Sequence, residues 1–105
     1  GISTMDTLSR MSIQTIFIPA TGVTVENGLT NSTYLEAEIK RSVVKQGSQV
    51  VLMADQSKFG HSAVISFCSF EQLYAIVTDQ MPSQPFLEAM ERYGIRLICP
   101  GYEDP

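Results

Sequence analysis

From Val50 to Gly60 the chain reads VVLMADQSKFG. Val50-Val51-Leu52-Met53-Ala54 is a short apolar run bounded by turn residues, the pattern of a buried strand. It breaks at Asp55-Gln56-Ser57-Lys58 and then Phe59-Gly60. In open α/β sheets, ligands bind where the carboxyl end of a strand opens into a loop of this kind. Asp55, Ser57 and Lys58 bring a carboxylate, a hydroxyl and an ammonium into four residues. These groups suit an anionic, hydroxylated small molecule.

Upstream, Thr33 and Glu36 have the spacing of a capping box, with Asn31 and Ser32 as alternative caps. Leu35, Ile39 and Val43 recur at i, i+4 and i+8 and predict one apolar helix stripe facing a sheet. Gly47 stands where a left-handed residue ends such a helix. Before it, Thr15-Ile16-Phe17-Ile18 is β-branched and aromatic and is stopped by Pro19 and Gly22, a second strand. Ala20 to Thr33 is expected as a long loop with a turn at Asn27-Gly28, and long ordered loops are often functional. Met5, Leu8 and Met11, at spacing three, fit the tail of an amphipathic helix. Strand, helix, strand is the beginning of a right-handed crossover.

Downstream, His61 to Phe70 (HSAVISFCSF) is expected to be extended and packed at an edge, with Ala63, Ile65 and Phe67 alternating with smaller residues. Leu73 to Thr78 is a further strand running into Asp79. Pro82-Ser83 then opens a helix whose inward stripe is Phe86, Met90 and Tyr93, and Gly94 ends it before a last strand, Ile95 to Ile98. The cadence predicts an α/β fold, a mostly parallel sheet with flanking helices.

At 105 residues the chain is one domain or part of one. Its net charge of −4 and scattered basic residues exclude a nucleic-acid surface on this chain, which would need a basic patch. Arg41 and Lys45 read as the solvated side of a helix. No run approaches the ~18 apolar residues of a membrane span, and no secretory signal opens the sequence. Cys68 and Cys99 are far apart, and with one histidine they do not make a zinc site. They are expected as buried free thiols in the cytoplasm. Neither a metal nor a cofactor is expected.

Three motifs in order resemble the carboxyl-terminal sensor domain of DeoR-type bacterial transcriptional repressors. They are Phe17-Ile18 with Gly22 and Gly28-Leu29-Thr30; Glu36-Ala37-Glu38 with Lys40; and Asp55-Gln56-Ser57-Lys58-Phe59-Gly60 followed by Val77-Thr78-Asp79. The resemblance runs from about Thr7 to Cys99. It implies a Rossmann-like fold shared with ribose-5-phosphate isomerase and the CoA transferases. It also implies an effector that is a phosphorylated sugar, and DNA binding only through an amino-terminal helix-turn-helix domain outside this chain. Residues 1–105 then read as the distal part of an effector-binding domain, cytoplasmic and homo-oligomeric. By the same resemblance Lys58 binds the phosphate, and Asp55 binds a sugar hydroxyl or holds Lys58. Ser57 and the Gly28, Leu29, Thr30 segment complete the pocket. Glu38 lies near an isomerase carboxylate, and His61 stands where many relatives carry Lys or Arg.

The competing class is an enzyme, a sugar-phosphate isomerase on the same fold. That chemistry needs a general base and a managed pair of acids. Only Glu38 is a plausible base here, and its partner is matched by nothing except Glu26. Glu36 and Glu38, two apart on a helix, cannot both face one pocket. The expectation is therefore a non-catalytic sensor.

Overall fold

A computed structural model describes residues 13–103. The stretch containing Met5, Leu8 and Met11 lies outside the described residues. Four parallel strands form the main sheet in the order β1 (Ile13–Ile18), β4 (Gly47–Met53), β6 (Leu73–Val77) and β7 (Arg96–Ile98). A second, antiparallel sheet joins β2 (Gly22–Thr24), β3 (Gly28–Asn31) and β5 (Ile65–Cys68). Helix α1 (Tyr34–Gln46) leads into β4, and α2 (Gln84–Tyr93) connects β6 to β7. The α/β fold with a mostly parallel sheet is as the sequence predicts.

Alternation along each strand sorts its side chains onto two faces. Ile16, Ile18, Val50, Leu52, Ile76 and Leu97 pack with Ala37, Val44, Phe86, Ala89 and Met90 of the helices in one core. Both helices therefore cover the same face of the sheet. On the other face Phe17, Met53 and Ile98 are exposed.

Several local expectations are corrected. Ala20 to Thr33 is not a long loop but holds the β2–β3 hairpin. Its turn signal was real: Gly28 has φ +71°, and a Cβ there would lie 2.1 Å from the Cys68 carbonyl oxygen. A left-handed glycine closing a three-residue loop is a standard hairpin solution. Of the stripe expected to face the sheet, Leu35 and Ile39 are 71% and 51% exposed, whereas Val43 is half-buried against the core beside the buried Ala37 and Val44. Small side chains there let α1 lie close against β1, β3, β4 and β5. Gly47 is extended (φ −88°, ψ 142°), so α1 runs straight into β4. It is glycine for space, because a Cβ would sit 2.8 Å from the Ile16 side chain. Gly94, by contrast, ends α2 in the left-handed conformation as expected. Tyr93 is exposed rather than inward and lies under the Arg92 guanidinium.

Candidate functional site

The carboxyl ends of β1, β4 and β6 come together at one end of the sheet. They surround a cavity of about 390 Å³ lined by Pro19, Ala20, Met53, Ala54, Asp55, Lys58, Val77, Thr78 and Asp79. Parallel strands create this convergence, since each leaves the sheet on the same side. The ladder continues just past the strand ends: Ala54 N–H donates to Val77 O (3.1 Å) and Thr78 N–H to Ile98 O (3.0 Å).

The loop after β4 is built by two carboxylates. Asp55 caps a 3-10 turn over Gln56–Lys58. Its Oδ1 accepts the Ser57 amide at 2.8 Å and also the Ser57 hydroxyl. Those two bonds, the hydroxyl first, hold the Asp55 carboxyl below the usual carboxylate range. Asp79 Oδ1 accepts the Gln56 amide at 2.9 Å. The Gln56 side-chain amide donates to Thr78 Oγ1 (3.1 Å) and Gln80 O (2.9 Å). Downstream, Phe59 stacks edge-on against Phe86 of α2 with centroids 5.1 Å apart, and Gly60 N–H donates to Val23 O at 2.8 Å. The turn is thus fixed at both ends, at one by Asp55, Thr78 and Asp79, which also line the cavity, and at the other by Phe59 and Gly60.

Lys58 is left over. Its ammonium makes no hydrogen bond or ion pair among the described residues, and it interacts electrostatically with Asp55. A cation on a braced turn at the mouth of an apolar-walled cavity is suited to receive an anion.

The other sequence candidates lie elsewhere. Leu29 is fully buried in the core. Thr30 spends its hydroxyl inside the second sheet, donating to Gly22 O and accepting from Ala63 N, both at 2.8 Å. Gly28 backs onto Cys68. None of the three lines the strand-end cavity. Glu38 pairs with Arg41, whose second nitrogen donates to Ser66 O at 2.6 Å, so this carboxylate is engaged on the β5 side of the helix. His61 is exposed and bridges Val23 through its backbone.

Sequence reasoning missed Pro19, Ala20 and Gln56. Their signal was positional: each lies within two residues of a predicted strand end. It also missed a polar cluster beside Pro19. Lys40 Nζ donates to Asn31 Oδ1 (2.7 Å) and to Pro19 O (3.0 Å), and Asn31, 1% exposed, donates to Glu36 at 2.5 Å. Burial lowers the pKa of Lys40, opposed by the Glu36 charge. Thr33 accepts the Glu36 amide (3.4 Å), but the Glu36 side chain goes to Asn31, so only half the expected capping box forms. A larger cavity, about 650 Å³, opens between α1, the hairpin tip and the Ser69–Gln72 turn, with Arg41, Lys45 and Cys68 in its walls. Both cysteines are buried free thiols, and burial pushes Cys68 up to about 11.

The architecture defines an α/β domain with a strand-end pocket of the Rossmann-like kind. A family model described as the DeoR C terminal sensor domain matches residues 1–80, and the chain belongs to that family. It is 44% identical over 73 residues to the HTH-type transcriptional regulator IolR of Bacillus subtilis, covering 70% of this chain and 29% of IolR. It is 28% identical over 98 residues to the HTH-type transcriptional repressor GlcR of the same organism (93% and 38%). Against the glycerol-3-phosphate regulon repressor of Escherichia coli the identity is 26% over 100 residues (94% and 40%). The chain thus spans two-fifths or less of these relatives. They are named as regulators and repressors, in keeping with a non-enzymatic sensor domain. Among the described residues no helix is long and apolar enough to cross a membrane.

Proposed function

We propose that the cavity at the ends of β1, β4 and β6 binds a small phosphorylated sugar or polyol. Lys58 receives the phosphate, and Asp55 and Ser57 present the turn and meet hydroxyls. Residues 1–105 form the distal part of an effector-binding domain. Occupancy is relayed to a helix-turn-helix domain elsewhere in the polypeptide, which alone contacts DNA. The protein acts in the cytoplasm as a homo-oligomer, without catalysis.

The observation that carries this reading is the Lys58 ammonium, without a hydrogen bond or ion pair among the described residues, on a turn braced by Asp55 and Asp79, beside a cavity of about 390 Å³. A relative named for a glycerol-3-phosphate regulon supports the phosphorylated class. The isomerase alternative is disfavoured because Glu38, its only candidate base, is engaged by Arg41.

The test is a thermal-shift panel of sugar and polyol phosphates, glycerol 3-phosphate included, against their unphosphorylated parents. A ligand at 100 times its dissociation constant stabilises by about 2.7 kcal/mol. One phosphorylated compound should raise Tm while its parent does not. Equal shifts with both, or none across the panel, contradict the proposal.

A further inference from the structure

A phosphate held at the ends of parallel strands lies among main-chain carbonyls, whose oxygens repel it unless something occupies them. The sheet occupies two of them: Val77 O takes the Ala54 N–H at 3.1 Å, and Ile98 O takes the Thr78 N–H at 3.0 Å. Pro19 is different. It follows β1, an edge strand whose one neighbour in the sheet is β4, and it stands in the cavity wall. Its carbonyl is taken by a side chain, the Lys40 ammonium, at 3.0 Å. Lys40 comes from the middle of α1 and does not itself line the cavity.

The neighbours of Lys40 aim it. Asn31, 1% exposed, accepts from Nζ at 2.7 Å and donates to Glu36 at 2.5 Å, so a neutral amide stands between the ammonium and the carboxylate. The buried Phe67 ring lies 5.3 Å from Nζ. Just past Pro19, Thr21 N–H donates to Thr30 O at 2.9 Å and fastens the segment to the hairpin. Arg41 gives its charge to Glu38, whereas Lys40 has no carboxylate within ion-pair distance among the described residues and spends its donors on two neutral oxygens. Such charge-assisted bonds fix a carbonyl more firmly than neutral ones do.

We propose that Lys40 is a positioning residue for the anion site. It holds the Pro19 carbonyl away from the strand-end cavity and keeps a positive charge behind the β1 wall, while Lys58 touches the anion from the loop after β4. This role rests on the reading of the cavity as a phosphate site and adds to it a residue that never meets the ligand. Preference for a phosphorylated compound over its neutral parent then depends on both lysines.

A ¹⁵N NMR titration of the whole chain with inorganic phosphate, at constant ionic strength, tests it. In the parent, phosphate should move the amides of Ala54 to Lys58, and Lys58→Met should abolish the response. Lys40→Met keeps an unbranched stem over Phe67 and removes the ammonium. Before phosphate is added it should shift the Ala20 amide nitrogen, which is bonded to the Pro19 carbonyl carbon. It should then weaken phosphate binding about tenfold, the scale of one lost charged hydrogen bond. Lys40→Arg keeps the charge and the donors; it should restore the Ala20 signal and the parent affinity, and it carries the test if Lys40→Met does not fold. A parent that ignores phosphate, or that binds it equally well after Lys58→Met, would overturn the phosphate site and this role with it. Binding that needs Lys58 but is unchanged in Lys40→Met, or is lost in a folded Lys40→Arg chain, would overturn the role of Lys40 alone.

Discussion

Asp55 and Asp79 hold the same turn from two different strands: Asp55 accepts the Ser57 amide at 2.8 Å and Asp79 accepts the Gln56 amide at 2.9 Å. The residues that shape the candidate pocket are thus separated in sequence but meet because β4 and β6 are parallel neighbours. Removing Asp79 should free Gln56 and loosen the turn while leaving Lys58 in place. Asp79→Ala is expected to cost about 1 kcal/mol, as loss of a capping side chain does. Amide hydrogen exchange at Gln56 and Ser57 should quicken by the corresponding factor, with the β4 core unchanged.

Acid should loosen the turn late. The Ser57 bonds depress the Asp55 carboxyl. A depressed acid contributes stability above its unfolded pKa, and that contribution is lost as pH falls through the lower folded value. The turn should stay intact at pH 5 and open only below the usual carboxylate range. Carboxyl-resolved NMR titration of Asp55 checks this, and a midpoint at or above the ordinary aspartate value would contradict it.

Two leucines distinguish the inward from the outward side of the fold. Leu52 is fully buried and Leu35 is 71% exposed. Leu52→Ala should cost about 2–5 kcal/mol, whereas Leu35→Ala should change the stability of the isolated fold by no more than about 0.5 kcal/mol. Urea denaturation of both variants at low protein concentration measures the difference.

That contrast marks where the sequence was readable. The run Val50 to Ala54 and its abrupt polar end identified β4 and the loop after it, because burial of a parallel strand leaves an unmistakable apolar signature. The stripe Leu35, Ile39, Val43 was equally visible, but periodicity says only that a helix has an apolar side, not what that side meets. The inward side of α1 is made of Ala37 and Val44 with Val43 at its edge, too small to dominate the pattern. Gly28 was legible as a turn residue, yet pairing of β3 with β5, across more than thirty residues, is a long-range event that local composition does not encode. Likewise Thr30 looked like a free hydroxyl until the second sheet used both its donor and its acceptor capacity.

Gly28 offers a sharper stability test. A Cβ there meets the Cys68 carbonyl oxygen at 2.1 Å, in a left-handed backbone. Gly28→Ala should exceed the ~1 kcal/mol of an ordinary glycine replacement and disrupt β3–β5 pairing. Loss of protection at Leu29 and Thr30 in hydrogen exchange would report it.

Cys68 predicts the alkaline side. Its thiol is pushed up to about 11 by burial. A raised pKa means the fold favours the neutral thiol, so this contribution is complete below the unfolded value and falls as pH rises toward 11. Stability should decline over that window more steeply in the parent than in Cys68→Ala, followed by denaturant midpoints at successive pH values.

The central claim, that Lys58 and the braced turn bind the phosphorylated effector, is tested most directly by ¹⁵N NMR. The titrant is whichever phosphorylated compound stabilises the chain. The account predicts that the perturbed amides gather at Ala20, Ala54 to Lys58 and Thr78–Asp79, and that Lys58→Met abolishes them. Perturbations gathered instead at Arg41, Lys45 and Ser66 to Gln72, around the larger cavity, would contradict it.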